Sequence, residues 1–300
     1  MGLTIPVWLD FIVRIFPETR NVQALGYMML AQNIAKVISS FFILRVVDAY
    51  AFSLYSSALV FLATGSVFIV GSLCFLLTKE VPETEVLQRN NLSFLNHTRK
   101  TLTQILANRR FLVFLLADLD IYVVLTVMSF YATYATGFFG VDPAIAAGAF
   151  VGCIYGGSIT VNIFFGVLNL LELKQKFILS KLITLILLLV LIFLPGVYSF
   201  FAISYMLGFV RAMRNMVYAP SVKKFAGKTD ATAYFSLAPL LTLPIGSGFP
   251  LLFGKLLDTL SFMQADAFRL LFAGCFLYIA ITLYFSIKTD YVGAEETKNI

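Results

Sequence analysis

The chain has 300 residues, 60% hydrophobic and 13% charged, with a mean hydropathy of +0.90. These values exclude a soluble globule and describe an all-α polytopic membrane protein, because in lipid the backbone must satisfy itself within helices. The net charge of +6 comes from basic residues clustered in short loops, so it reports topology and no nucleic-acid partner is expected.

Residues 1–20 read as the tail of an interrupted helix followed by a loop, punctuated by Pro6, Trp8 and Pro17. Asp10 and Arg14 inside its apolar run, with no small-residue cleavage site, argue against a signal peptide. The first full span is predicted at about Val22 to Val46, with a short loop at Asp48 and Ala49. Asn33, Lys36 and Ser40 share one of its faces. Lys36 lies about 15 Å in if the core begins near Gly26. It is either a substrate or counter-ion site, or a lysine that snorkels or pairs structurally. The second span, about Ser53 to Leu77, is apolar all round, with Gly65, Ser66, Gly71 and Ser72 suited to close packing.

One long polar segment follows, Lys79 to Arg110. Its part from Leu92 to Ala107 is amphipathic and is either a helix on the membrane surface or a solvated linker. The sequons at Asn91 and Asn96 fall here and read as chance matches in a cytoplasmic loop.

The third span, Phe111 to Gly137, organises the rest. It is long enough to cross a bilayer, yet Asp118 and Asp120 lie about 12 and 15 Å inside it. Asp118, Tyr122, Thr126, Ser129 and Thr133 form one polar stripe at helical spacing. Asp120 is about 200° round and apart from it. Asp118 therefore reads as a cavity-lining acid, with a buried structural carboxylate as the alternative; Asp120 reads as the structural one.

Asp142-Pro143 opens a fourth span, about Ala144 to Leu171, rich in Gly and Ala. The fifth, about Phe177 to Leu194, has no polar face beyond its first turn. The sixth, about Tyr198 to Tyr218, carries a second polar stripe of Ser204, Gly208, Arg211 and Asn215, with Arg211 near the depth of Asp118. The seventh, about Ala231 to Phe253, contains Pro239, Pro244 and Pro250 and is expected to kink. The eighth, about Phe268 to Ile287, is apolar, and a charged tail follows. Cys74, Cys153 and Cys275 lie in apolar stretches without paired spacing, and His97 is the sole histidine, so free thiols and no metal site are expected.

Basic residues concentrate on one side, at Arg14 and Arg20, Arg89 to Arg110, Lys174 and Lys176, Lys223 to Lys228, and Lys288. The positive-inside rule makes both termini cytoplasmic, which about eight spans require. A bacterial cytoplasmic (inner) membrane is the expected location.

The spans repeat with a period of three: polar stripes in the third and sixth, Gly, Ala or Pro in the fourth and seventh, apolar surfaces in the second, fifth and eighth. The fourth and seventh run in opposite directions yet end on similar runs, FFGVLN at Phe164 to Asn169 and LFGKLLD at Leu252 to Asp258. Inverted three-helix repeats are the mark of a secondary transporter. With these residues the chain resembles the major facilitator superfamily. Gly254 to Asp258 fits the G-x-L-x-D pattern after that family's eleventh helix. Arg110 to Gly140 looks like its seventh helix and following turn, and Pro17-Glu18-x-Arg20 with Gly26 like the loop into its fifth. After the fourth span Gly166 and Leu168 match the family pattern, while Leu170 and Leu171 stand where Asp and Arg are usual.

The resemblance implies helices five to twelve: residues 1–78 as a remnant of the N-terminal half with two helices, 79–110 as a cytoplasmic inter-domain loop, 111–288 as a six-helix C-terminal bundle, and 289–300 as a tail. It implies secondary transport of a small solute by rocking about a midplane site, coupled to a proton or cation, in a chain truncated at its N-terminus that by itself should not make a complete alternating-access transporter. Candidate binding residues are Asp118, Tyr122, Thr126, Ser129, Lys36, Asn33, Ser204, Arg211 and Asn215, with Asp118 balanced by Arg211 or Lys36. The alternative is a non-transporting membrane subunit pairing with another chain that supplies the missing helices. No enzyme is expected, since the loops hold no catalytic constellation, and no cofactor is implied.

Overall fold

The computed structural model describes residues 4–17, 20–49, 54–75, 94–227, 231–289 and 291. Every regular element among them is helical. In chain order these are α1 (Thr4–Ile15), α2 (Asn21–Ala49), α3 (Leu54–Phe75), α4 (Phe94–Ala107), α5 (Arg109–Asp118), α6 (Asp120–Phe138), α7 (Pro143–Val161), α8 (Leu173–Phe193), α9 (Val197–Ala226), α10 (Thr232–Thr259) and α11 (Ala265–Lys288). A π-helical turn, Asn162–Val167, extends α7, and a 3₁₀ turn, Ser261–Met263, joins α10 to α11. The sequence expectations for residues 79–91 and for Glu295, Glu296 and Lys298 fall outside the described residues.

The chain forms two units. One comprises 1–27 and 92–300, the other 28–91. Within the second, α2 runs unbroken through Asp48 and Ala49, where the sequence predicted a loop. Its α3 exposes Phe61, Leu62, Val67 and Phe68, an apolar surface that suits lipid.

Among the described residues of the first unit five stretches are long and apolar enough to span: Arg109–Phe138, Gly148–Val167, Leu173–Phe193, Thr232–Thr259 and Ala265–Lys288. α9 is long enough, at about 45 Å, but more polar; it nevertheless sits at the centre, against α7 and α8. Glycines permit the α7–α9 approach. A Cβ at Gly208 would overlap the Ile154 carbonyl, and one at Gly157 the Tyr205 carbonyl. Ser158 Oγ donates to the Gly208 carbonyl at 3.0 Å, tying the two backbones together. A second tight crossing brings Gly26 of α2 onto Gly166 in the π-helical turn.

Helix ends follow local chemistry. Asn108 caps α5, its Oδ1 accepting from the Phe111 N–H at 3.1 Å while its Nδ2 donates to the Phe225 carbonyl at 2.9 Å. Glu172 and Gln175 form a capping box on α8. α9 ends at Gly227, whose φ of 60° suits glycine, with Lys223 and Lys224 in its last turn. Asp10 of α1 accepts from the Ala231 N–H and the Thr232 hydroxyl, both at 3.0 Å, and so places an anion at the start of α10.

The packed core lies toward the far end of α6. Tyr134 is wholly buried among Phe139, Phe200, Phe268 and Phe272, with ring centroids 4.9 to 5.9 Å away. α10 stays helical through Pro239, Pro244 and Pro250.

Candidate functional site

The third predicted span is two helices. α5 ends at Asp118 and α6 begins at Asp120, with Leu119 between them. Leu119 keeps right-handed helical angles, φ −63° and ψ −16°, so the axis continues while the hydrogen bonding changes. The Tyr122 N–H bonds the Leu119 carbonyl at 3.2 Å, a tightened turn, and the Ala117 carbonyl accepts from Lys181 Nζ at 2.6 Å.

The two acids flank this junction and serve different helices. Asp118 meets Arg214 of α9: Nε donates to Oδ1 at 3.1 Å and Nη2 to Oδ2 at 2.6 Å. This is the planar, two-bonded geometry in which a guanidinium recognises a carboxylate best. The guanidinium also lies 4.0 Å from the centroid of the Tyr218 ring. Asp120 meets Lys181 of α8 at 2.7 Å, and that ammonium sits 4.3 Å from the Phe177 ring centroid. The Lys181 side chain is 0% exposed and that of Asp120 3%, whereas Arg214 remains 21% exposed. One pair is thus sealed in the bundle and the other reaches its surface.

Tyr122 ties α6 to α10, its hydroxyl 2.7 Å from that of Thr242, and its ring fills the space a side chain at Gly246 would need. Thr126 is buried and donates to the Tyr122 carbonyl at 2.7 Å. Ser129 is exposed and donates to that of Leu125 at 3.0 Å. Both bonds stay within the helix, as is common for hydroxyls in apolar surroundings. Ser204 is buried, 2.9 Å from the Tyr131 hydroxyl and donating to the Phe200 carbonyl at 2.7 Å. Arg211 and Asn215 are exposed on α9. In the other unit Asn33 is buried and Lys36 exposed on α2.

The structure therefore groups Asp118 with a residue absent from the sequence candidates. Arg214, three residues beyond Arg211, is its partner, and Gly208 of the expected stripe serves packing. Lys181 was missed too. Both left a signal: Lys181 is a lone cation eight residues into an apolar helix, and Arg214 lies within the same turn as Arg211 and Asn215. No group of three or more His, Cys, Asp or Glu side chains comes together among the described residues.

No protein-family model matches the chain, and no curated protein matches it. Solved structures do. A Major Facilitator Superfamily transporter, FucP, in the outward conformation superposes with a TM-score of 0.71 at 19% identity, over 94% of this chain and 72% of that one. A variant of the E. coli fucose:proton symporter FucP gives 0.65 at 18% identity over the same shares. The chain has the fold of Major Facilitator Superfamily transporters, that of an integral multi-pass membrane protein.

Proposed function

We propose that the chain is a secondary transporter of a small solute, in which Asp118 is the proton- or cation-coupling carboxylate and Arg214 its counter-charge. The observation that carries this reading is the half-open Asp118–Arg214 pair. Its carboxylate is buried within a span while its guanidinium reaches the surface. A proton arriving at Asp118 removes the anion that holds Arg214 and leaves a cation free to engage elsewhere. That is a two-state element biased by protonation, the minimum a coupled transporter needs. The likeness of fold to a fucose:proton symporter supports it.

In this reading 79–110 is a cytoplasmic connection, both termini are cytoplasmic, and the membrane is the bacterial inner one. The sealed Asp120–Lys181 pair is the structural member of the site. It holds the α5–α6 junction against α8, so that Asp118 is presented to α9.

The test uses the full chain in liposomes containing a pH-sensitive dye. L-Fucose and a panel of small organic anions are added outside in turn. Solute-dependent acidification that disappears in Asp118→Asn is the expected result. Acidification that persists in Asp118→Asn removes Asp118 from the coupling role, and its absence with every solute counts against transport.

A further inference from the structure

We infer that Arg211 anchors an anion subsite and that the solute carries a carboxylate or comparable singly charged oxyanion; this rests on the transport reading only in taking the exposed face of α9 as water-accessible. Deep within the first unit, the charges Asp118 with Arg214 and Asp120 with Lys181 close on each other as ion pairs. Arg211 is not included: its side chain makes no hydrogen bond or ion pair among the described residues. It stands inside the span of α9, about 20 Å from Tyr198 and about 10 Å from Tyr218. An exposed guanidinium at that depth is costly against lipid, so its place is a wet cavity where an anion can reach it.

The surroundings fit that anion. Arg211, Arg214, Asn215 and Tyr218 follow i, i+3, i+4 and i+7 and so share one face of α9. Arg214 is already occupied, both arms of its fork being on Asp118. Asn215 is exposed and offers a carboxamide donor one turn from Arg211. A guanidinium takes a carboxylate through two parallel N–H···O bonds, and the Asn215 amide can donate a third. With both ion pairs neutral, the face carries a single net positive charge, which selects a monoanion over a neutral or cationic solute.

The experiment follows thermal unfolding of the purified full chain in detergent. D-Gluconate, L-lactate and inorganic phosphate are compared with sorbitol and propane-1,2-diol, at ionic strength matched with chloride. A ligand that binds the native state raises its unfolding temperature. The expected result is a saturable rise with at least one anion and none with its neutral counterpart. Arg211→Gln should need at least about tenfold more of that anion, as fits loss of charge-assisted hydrogen bonds, with Arg211→Lys between the two. Should Arg211→Gln fold poorly, Asn215→Asp supplies the decision, because a carboxylate one turn away occupies Arg211 from within and abolishes the anion response of a folded protein.

No anion exceeding its neutral counterpart, or an equal response in Arg211→Gln, overturns the inference. Failure of the transport reading looks different: an Arg211-dependent response with no solute-driven proton movement keeps the anion subsite and rejects transport. Proton movement driven by a neutral solute and untouched by Arg211→Gln keeps transport and rejects the subsite.

Discussion

Arg214 grips Asp118 through two separate nitrogens, at 3.1 and 2.6 Å, while the face of its guanidinium rests on Tyr218. The bond joins helices 96 residues apart in the chain. It also divides the polar face of α9 into a committed arginine and, one turn earlier, one with no side-chain partner among the described residues.

Removing one member of the pair should hurt more than removing both. Asp118→Asn or Arg214→Gln alone leaves a charge without its partner, at a cost of about 3–5 kcal/mol. The double variant should recover much of that loss. Unfolding of the four proteins in one detergent measures the coupling, and strict additivity would show that the two groups act independently.

The Asp120–Lys181 pair should be less forgiving, because its ammonium is wholly buried and also satisfies the Ala117 carbonyl. Lys181→Met loses both partners at once and should destabilise more than Asp120→Asn, which keeps the carbonyl bond. A double-mutant cycle is expected to give a coupling of about 1–3 kcal/mol. Equal losses from the two single variants would show that the carbonyl bond contributes nothing.

Close backbone packing makes a third forecast. Gly208→Ala and Gly157→Ala each drive a methyl into a carbonyl of the opposing helix, and should cost about 1–3 kcal/mol. Gly156→Ala serves as the control, since its methyl would meet only the Tyr205 ring at an ordinary 3.8 Å. The yield of folded protein after purification separates the three variants.

Tyr122→Phe removes a single hydroxyl from the α6–α10 contact but keeps the ring beside Gly246. It should lower stability by about 1 kcal/mol. Thr242→Val loses the same bond and also the one its hydroxyl donates to the Ala238 carbonyl at 3.0 Å, so it should cost at least as much, and the double variant should lose no more than Thr242→Val alone. A further loss in the double variant would mean that the Tyr122 hydroxyl has a partner besides Thr242.

Much of this arrangement was legible in the sequence. The helical period alone put Asp118 and Asp120 on different faces, and the structure sets them against different helices. The argument that makes a buried acid conspicuous also marks Lys181, but the leucine-rich run that follows it disguised it as part of a lipid-facing surface. On α9 the stripe was drawn through Gly208, where the backbone of α7 lies, and so passed Arg214 by. The junction at Leu119 left no trace because neither glycine nor proline marks it. The π-helical turn Asn162–Val167 was equally silent; it contains Gly166, which seats closely on Gly26.

The sealed pair also sets a problem for biogenesis. A chain is made from its N-terminus, so α5 and α6 exist before α8 and α9 have left the ribosome. Asp118 and Asp120 must therefore enter the membrane while the cations that will hold them are still unmade. Until then the acids need protons, water or a proteinaceous insertion site to shield them. The newborn first hairpin of this bundle is an unfinished circuit, closed only when Lys181 and then Arg214 arrive.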